Sequence, residues 1–126
     1  MTDLLQTAAT WLEAERHSHG AHDVSYHRGA ESVALKASIG LTEFEVETDF
    51  GIQKTESRDF LIRTADLVLT GAATEPRRGD RIKETLGEEV VVFEVMAPGQ
   101  EPPWRFSDPN RLTMRIHTKH VDTEAA

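Results

Sequence analysis

The chain has 126 residues, a formal net charge of −8 at pH 7 and no cysteine. This length predicts a single domain that buries about two-thirds of its unfolded surface without cross-links. The absence of cysteine excludes disulfides and thiolate metal sites. The acidic excess disfavours free binding to duplex DNA, because affinity for phosphates comes from clustered Lys and Arg. No run approaches the roughly 20 apolar residues of a membrane-spanning helix, and no secretion signal is expected, so we predict no membrane partner.

The N-terminal segment is predicted to form an amphipathic α-helix over residues 3–16. Gly20 provides a stop after it. The apolar residues that recur at helical spacing are Leu4, Leu5, Ala8, Trp11 and Leu12.

From residue 23 onwards, apolar and polar residues alternate with a period of two, which is typical of strands with one buried face. Turns are predicted at 29–31 and 40–42, and a hairpin at 81–96. The stretches 51–58 and 97–110 are predicted to be long loops, and 122–126 a frayed tail. The predicted interior is Val33, Leu35, Phe44, Val46, Val91, Phe93, Leu112, Met114 and Ile116.

These elements predict an α+β fold that is mainly β. The expected architecture is an antiparallel β-barrel of about six or seven strands over residues 23–121, with the N-terminal α-helix packed on it. Residues 1–126 then form one domain.

A cationic strand face is predicted near the C-terminus. Arg111, Arg115 and Lys119 alternate with the apolar residues of the same strand. In an acidic chain this face indicates a partner surface. The segment just before it, Trp104-Arg105-Phe106, suits packing onto the body and anchoring a neighbour equally well.

An acidic stripe is predicted on an earlier strand, formed by Glu43, Glu45, Glu47 and Asp49. Carboxylates two residues apart on a strand are separated by about 7 Å and face the same water. The stripe is therefore either a solvated face or a charged interface, or else a channel lining that repels DNA.

No motif indicates chemistry. The histidines at positions 17, 19, 22 and 27 match no metal-site spacing, and Arg78-Gly79-Asp80, which spells an integrin-binding tripeptide, is explained by a turn. There is no nucleophile elbow, phosphate loop or dinucleotide fingerprint. We therefore predict no catalytic, cofactor-binding or metal residues and no enzyme activity.

Three stretches carry a family resemblance. RDFLIRTADL at 58–67, PRRGDRI at 76–82 and PWRFSD at 103–108, the last followed by RIHTK at 115–119, occur in the same order as in the head-tail joining proteins of tailed phages. These neck components are also called head-completion, head-closure or stopper proteins. With the N-terminal helix and the alternating strands, the resemblance runs over most of the chain.

The resemblance implies a β-barrel subunit without catalytic residues that forms a ring in the virion neck. The ring lies below the portal and adaptor, closes the DNA-filled head and meets a tail terminator or tail-completion protein. Long loops reach the lumen or the adjoining ring in such proteins, and here 51–58 and 97–110 are the candidates. Passive contact with packaged DNA and assembly in the bacterial cytoplasm are further expectations.

Three alternatives stay open at this point. The first is a tail-completion protein of the same neck. The second is a small monomeric barrel that binds peptide or nucleic acid, although few aromatic residues and an acidic charge disfavour a single-strand binder. The third is a metal-dependent enzyme that uses the histidines. Neighbouring portal and tail genes would favour the neck component.

Overall fold

The computed structural model describes residues 21–99 and 101–125, which contain nine β-strands and one 3-10 turn at Thr64–Asp66. The strands are β1 His22–Arg28, β2 Glu31–Thr48, β3 Gly51–Arg63, β4 Val68–Leu69, β5 Ala72–Ala73, β6 Arg81–Leu86, β7 Glu89–Val95, β8 Trp104–Phe106 and β9 Thr113–Ala125. Within these residues no helix is long and apolar enough to cross a membrane.

Seven of the strands form one antiparallel sheet in the order β3-β2-β1-β6-β7-β9-β8, while β4 and β5 form a separate two-stranded ribbon. Strand β3, at one end of this order, also pairs with β9. Residues 58–63 of β3 lie opposite residues 113–118 of β9. Hydrogen bonding therefore returns from β9 to β3, and apolar side chains from β1, β2, β3, β4, β6, β7 and β9 form a common core.

The predicted α+β class is wrong. The described residues are almost entirely β-strands and turns, and they form the seven-stranded sheet rather than a helix packed on a barrel. The mainly antiparallel β character agrees with the prediction. The helix predicted over 3–16 lies outside the described residues.

Three predicted breaks in the strands are also wrong, because each segment continues a hydrogen-bonded ladder. Strand β2 passes through Gly40, which lies opposite Asp59, where a hairpin turn was expected. The predicted loop 51–58 is the first half of β3. The predicted tail continues β9, with Ala125 opposite Glu89 on β7.

Other predicted features agree with the structure. Short turns join β1 to β2 and β6 to β7, and Gly29 and Gly87 adopt the positive φ that each turn requires. Among the described residues 97–99 and 101–110, β8 is the one regular element.

The core contains most of the predicted interior. Leu35, Phe93, Met114 and Ile116 are buried, and Val33 and Val91 pack against them. Leu112 precedes β9 and is half-buried. Phe44 and Val46 are half-buried on the other face of β2, because the strand crosses Gly40 without a turn and the apolar residues change from odd to even positions there.

Replacing Ile116 or Leu35 by Ala is expected to lower the free energy of unfolding by about 2–5 kcal/mol, because each change leaves a cavity in the core. Leu41→Ala is the matched control, since Leu41 is 67% exposed, and its effect should stay within about 0.5 kcal/mol. Urea unfolding of the three variants measures the difference. Equal effects at Ile116 and Leu41 would contradict the assigned core.

The hairpin of β2 and β3 extends beyond the sheet. Strand β1 accompanies β2 only as far as Ala37, and β9 accompanies β3 only from Arg58 onwards. Residues 41–57 therefore form a two-stranded projection, here called the arm. Its tip is the two-residue turn Asp49-Phe50, where Phe50 is 94% exposed.

Candidate interaction site

The base of the arm is joined to β9 by a buried carboxylate. Asp59 lies on β3 and accepts hydrogen bonds from Arg115 Nε at 2.6 Å and from the Ser57 hydroxyl at 2.5 Å. His117 Nδ1 lies 2.9 Å from the other side of the same carboxylate, and the Thr42 hydroxyl donates to it from β2. Three strands thus share one anion.

The environment keeps this carboxylate ionised. Burial alone would raise the pKa of Asp59, but hydrogen bonds from His117, Ser57, Thr42 and Arg115 outweigh it and lower the pKa to about 2. At neutral pH the negative charge is therefore fully present and is held by donors from both neighbouring strands.

Ser57, His117 and Asp59 do not form a catalytic triad. The serine oxygen and the carboxylate both approach Nδ1 of His117, at 3.4 and 2.9 Å. In a triad, the hydroxyl and the carboxylate bind different ring nitrogens. All three side chains are buried, so the serine is closed to a substrate. The cluster is suited to joining strands.

Gly40 leaves room for this cluster. A Cβ at this position would lie 2.9 Å from Nη2 of Arg115 and 3.3 Å from Cδ1 of Leu61. The guanidinium is not free to move away, because it also donates to the carbonyl of Leu41 at 3.0 Å. A strand glycine that permits close approach of another group explains why the sequence resembled a turn.

Gly40→Ala is expected to lower the free energy of unfolding by about 1–3 kcal/mol, because the added methyl displaces the pinned Arg115 side chain. Ser32→Ala on the same strand is the control, since that residue is exposed. Thermal unfolding of both variants measures the effect. A Gly40→Ala protein as stable as the wild type would show that the cluster tolerates rearrangement.

A second buried acid holds the segment before β6. Asp80 accepts hydrogen bonds from Arg28, with Nη2 at 2.8 Å, and from the hydroxyl of Tyr26. Burial favours the neutral acid, but the hydrogen bonds from Arg28 and Tyr26 lower the pKa of Asp80. Burial and the adjacent carboxylate raise the pKa of the Tyr26 hydroxyl. The Asp80 carboxylate is buried and hydrogen-bonded to Tyr26 and Arg28, so the tripeptide 78–80 does not offer an accessible carboxylate to an integrin.

A third buried acid, Glu84, lies 2.9 Å from Nη2 of Arg58 and 3.2 Å from Nδ1 of His22. The guanidinium of Arg58 also lies 4.7 Å from the ring centre of Phe93. Each of the three buried acids thus forms an ion pair with one arginine. These pairs were not predicted, and only Glu84 carried a local signal, because it is an acid on the same strand face as the buried Ile82.

The predicted cationic face is not one continuous surface. Arg115 is half-buried against Asp59, whereas Arg111 and Lys119 are exposed. Trp104 and Phe106 stack edge to face at 4.9 Å and pack against the core. Between them, Arg105 is exposed.

The predicted acidic residues all lie on the arm and are exposed. Glu43 and Glu45 lie opposite Glu56 and Lys54, Glu47 lies opposite Ile52, and Asp49 is in the tip. Within the described part of the chain, none of these acids forms an ion pair. Sequence analysis therefore found the charges but missed the projection that carries them.

The histidines do not converge. His22 contacts Glu84, while His27 lies 2.7 Å from the Ser25 hydroxyl. Burial and the nearby Lys83 lower the pKa of His27, against a smaller opposing effect of Glu124. Residues 17 and 19 lie outside the described residues. Within residues 21–99 and 101–125, no three histidines or acids are placed to hold a metal ion.

These features define the class of protein. The described residues form an all-β module in which the buried acids join strands, and exposed charges lie on the arm, on loops and on the outer faces of strands. The family model of phage head-tail joining proteins matches residues 2–125, and the chain belongs to that family. No curated protein sequence matches the chain.

Membership confirms the resemblance and the broad role. The protein is a structural component of the virion that takes part in joining the phage head to the tail, and it associates with other head and tail proteins. The family is structural and is not known for enzymatic activity.

Proposed function

We propose that the protein is a ring-forming subunit of the virion neck. In this proposal the ring lies below the portal and adaptor, completes the DNA-filled head and offers a docking surface to a tail terminator or tail-completion protein. The observation that carries the proposal is the family match over residues 2–125. The small all-β body supports it, because a compact body with projecting segments suits repeated contacts around a closed circle.

The arm and the segment 101–110 are the proposed contact elements. The arm extends past β1 and β9, whereas 101–110 contains β8, which pairs with β9 at the edge of the sheet. The exposed residues of these segments are polar or charged with few exceptions, which suits a subunit that is soluble before assembly. The free protein is therefore expected to be a monomer in the host cytoplasm at modest concentration.

Loss of the protein tests the function directly. Cells infected with a phage that lacks this gene product should accumulate DNA-filled heads and separate tails, and the purified protein should restore joining in an extract. Electron microscopy of complete virions would then locate the protein. Density between the adaptor and the tail supports head completion, whereas density at the top of isolated tails would assign it to tail completion.

A further inference from the structure

Exposed charges are distributed unequally between the two ends of the subunit, although the end opposite the arm also carries the exposed acids Glu31 and Glu75. The strand register places the arm at one end, and the turn between β1 and β2, the end of β3 and the start of β6 at the other. The arm is acidic. The opposite half carries six exposed arginines that form no ion pair with the described residues: Arg63, Arg77, Arg78, Arg81, Arg105 and Arg111.

One of these arginines is held in a strained conformation. Arg111 has a φ of 59°, in the left-handed region that is unfavourable for a residue other than glycine. The carboxylate of Asp108 fixes this turn by accepting the backbone N–H groups of Leu112 and Thr113 at 3.0 and 2.9 Å. The result is that the guanidinium of Arg111 lies 5.6 Å from the ring centre of Phe106. Such strain is typical of functional positions.

Two further arginines flank this position. Arg105 precedes Phe106 on β8, and Arg63 lies opposite Thr113 at the end of β3. Arg63, Arg105 and Arg111, together with the half-buried ring of Phe106, are here called the arginine corner. Its exposed groups are cationic, since the ring of Phe106 lies beneath the guanidinium of Arg111 and packs against the core, and arginine is enriched in protein interfaces.

The tip of the arm has the complementary composition. Phe50 is 94% exposed and Ile52 is 70% exposed, and the acids Glu47 and Asp49 flank them. A two-residue turn on a paired ladder holds these side chains at a defined position. An apolar centre with an acidic rim therefore faces solvent at one end, and a group of exposed arginines at the other.

We propose that the arm tip of one copy docks on the arginine corner of a second copy. The two surfaces lie at opposite ends of one subunit, so they meet only between copies. Such a contact is heterologous and generates a closed ring when the rotation between copies closes. The inference rests on the proposed ring and adds the contact that builds it.

The charged groups and the apolar side chains contribute differently to this contact. Exposed ion pairs contribute little individually and chiefly fix the register of the two surfaces and speed their encounter. Phe50 and Ile52 supply most of the affinity, because they are the large apolar side chains that the contact removes from water.

A charge exchange tests the pairing. The tip variant carries Glu47→Arg with Asp49→Arg, and the corner variant carries Arg105→Glu with Arg111→Glu. All four residues are exposed, so thermal unfolding should show an unchanged fold. Supplied to a phage that lacks the protein, each variant should lower the yield of tailed particles about tenfold or more through like-charge contacts. A chain that carries all four changes should restore most of the yield, because the signs are opposite again.

Matched controls reverse charge elsewhere. Glu88→Arg with Glu89→Arg changes the neighbouring β6–β7 turn, and Arg77→Glu with Arg78→Glu changes two exposed arginines outside the corner. Both should join heads to tails normally, and losses as large as those of the tip and corner variants would overturn the proposal. Normal joining by the tip or corner variant would also overturn it. So would losses without restoration in the combined chain, which would assign the tip to a different virion protein. The proposed role in joining heads to tails is tested separately, by the phage that lacks the protein.

Discussion

Replacing Asp59 by Asn is expected to lower the free energy of unfolding by about 3–5 kcal/mol, because it removes one partner of a buried ion pair and leaves the other charge without compensation. Arg115 would lose its ionised partner, and the amide nitrogen of the new side chain would face either Ser57 and His117, which contact Oδ1, or Thr42 and Arg115, which contact Oδ2. Urea unfolding at neutral pH measures the loss.

Asp49→Asn is the matched control for this substitution. It makes the same chemical change at the exposed tip of the arm, and its effect on stability should stay within about 0.5 kcal/mol. A similar loss in both variants would mean that the free energy of unfolding depends on net charge and not on the hydrogen bonds around Asp59.

The same carboxylate predicts the acid dependence of stability. The pKa of Asp59 falls from 3.8 to about 2 on folding. Its contribution of about 2 kcal/mol is therefore present above pH 3.8 and is lost as the pH falls through about 2. The difference in stability between the wild type and Asp59→Asn should narrow over this interval. A difference that stays constant down to pH 2 would contradict the lowered pKa.

Local patterns predicted the strands well where one face meets the apolar core. The alternation of Val33 and Leu35 with polar neighbours marked β2, and the hairpin of β6 and β7 followed from its turn residues. A sequence shows both signals directly. Alternation with a period of two marks a strand, and a glycine between two such runs marks a turn that needs a positive φ. The family resemblance was carried by motifs in β3, β6 and β9 and was confirmed.

The failures share a physical cause, which is that the deciding partner is distant in sequence. Gly40 resembled a turn, but it gives space to Arg115, 75 positions later. Arg115 and His117 had the alternation of an exposed face, yet they are buried against Asp59 on another strand. The 51–58 segment lacked an apolar period because most of it lies in the arm, outside the core, where its own residues are polar except for Gly51 and Ile52.

Removing the arm is expected to abolish head-tail joining while the fold is kept. Thr42 and Ser57 lie directly opposite one another at the base, so residues 43–56 can be replaced by Asn-Gly, which forms a two-residue hairpin turn without a change of register. The carboxylate of Asp59 keeps its donors. The lost edge contact between Phe44 and His117, with ring centres 5.0 Å apart, should cost only about 1 kcal/mol of stability.

The matched control places Asn-Gly in the β6–β7 turn in place of Gly87-Glu88, at the same end of the sheet. This chain should join heads to tails at the normal rate. The shortened chain should not, because it lacks the exposed apolar tip and the acidic row that we assign to contacts between copies. Free DNA-filled heads and free tails, counted by electron microscopy, give the measurement. Normal joining by a folded chain without its arm would remove the arm from the assembly mechanism and, with it, the proposed contact with the arginine corner.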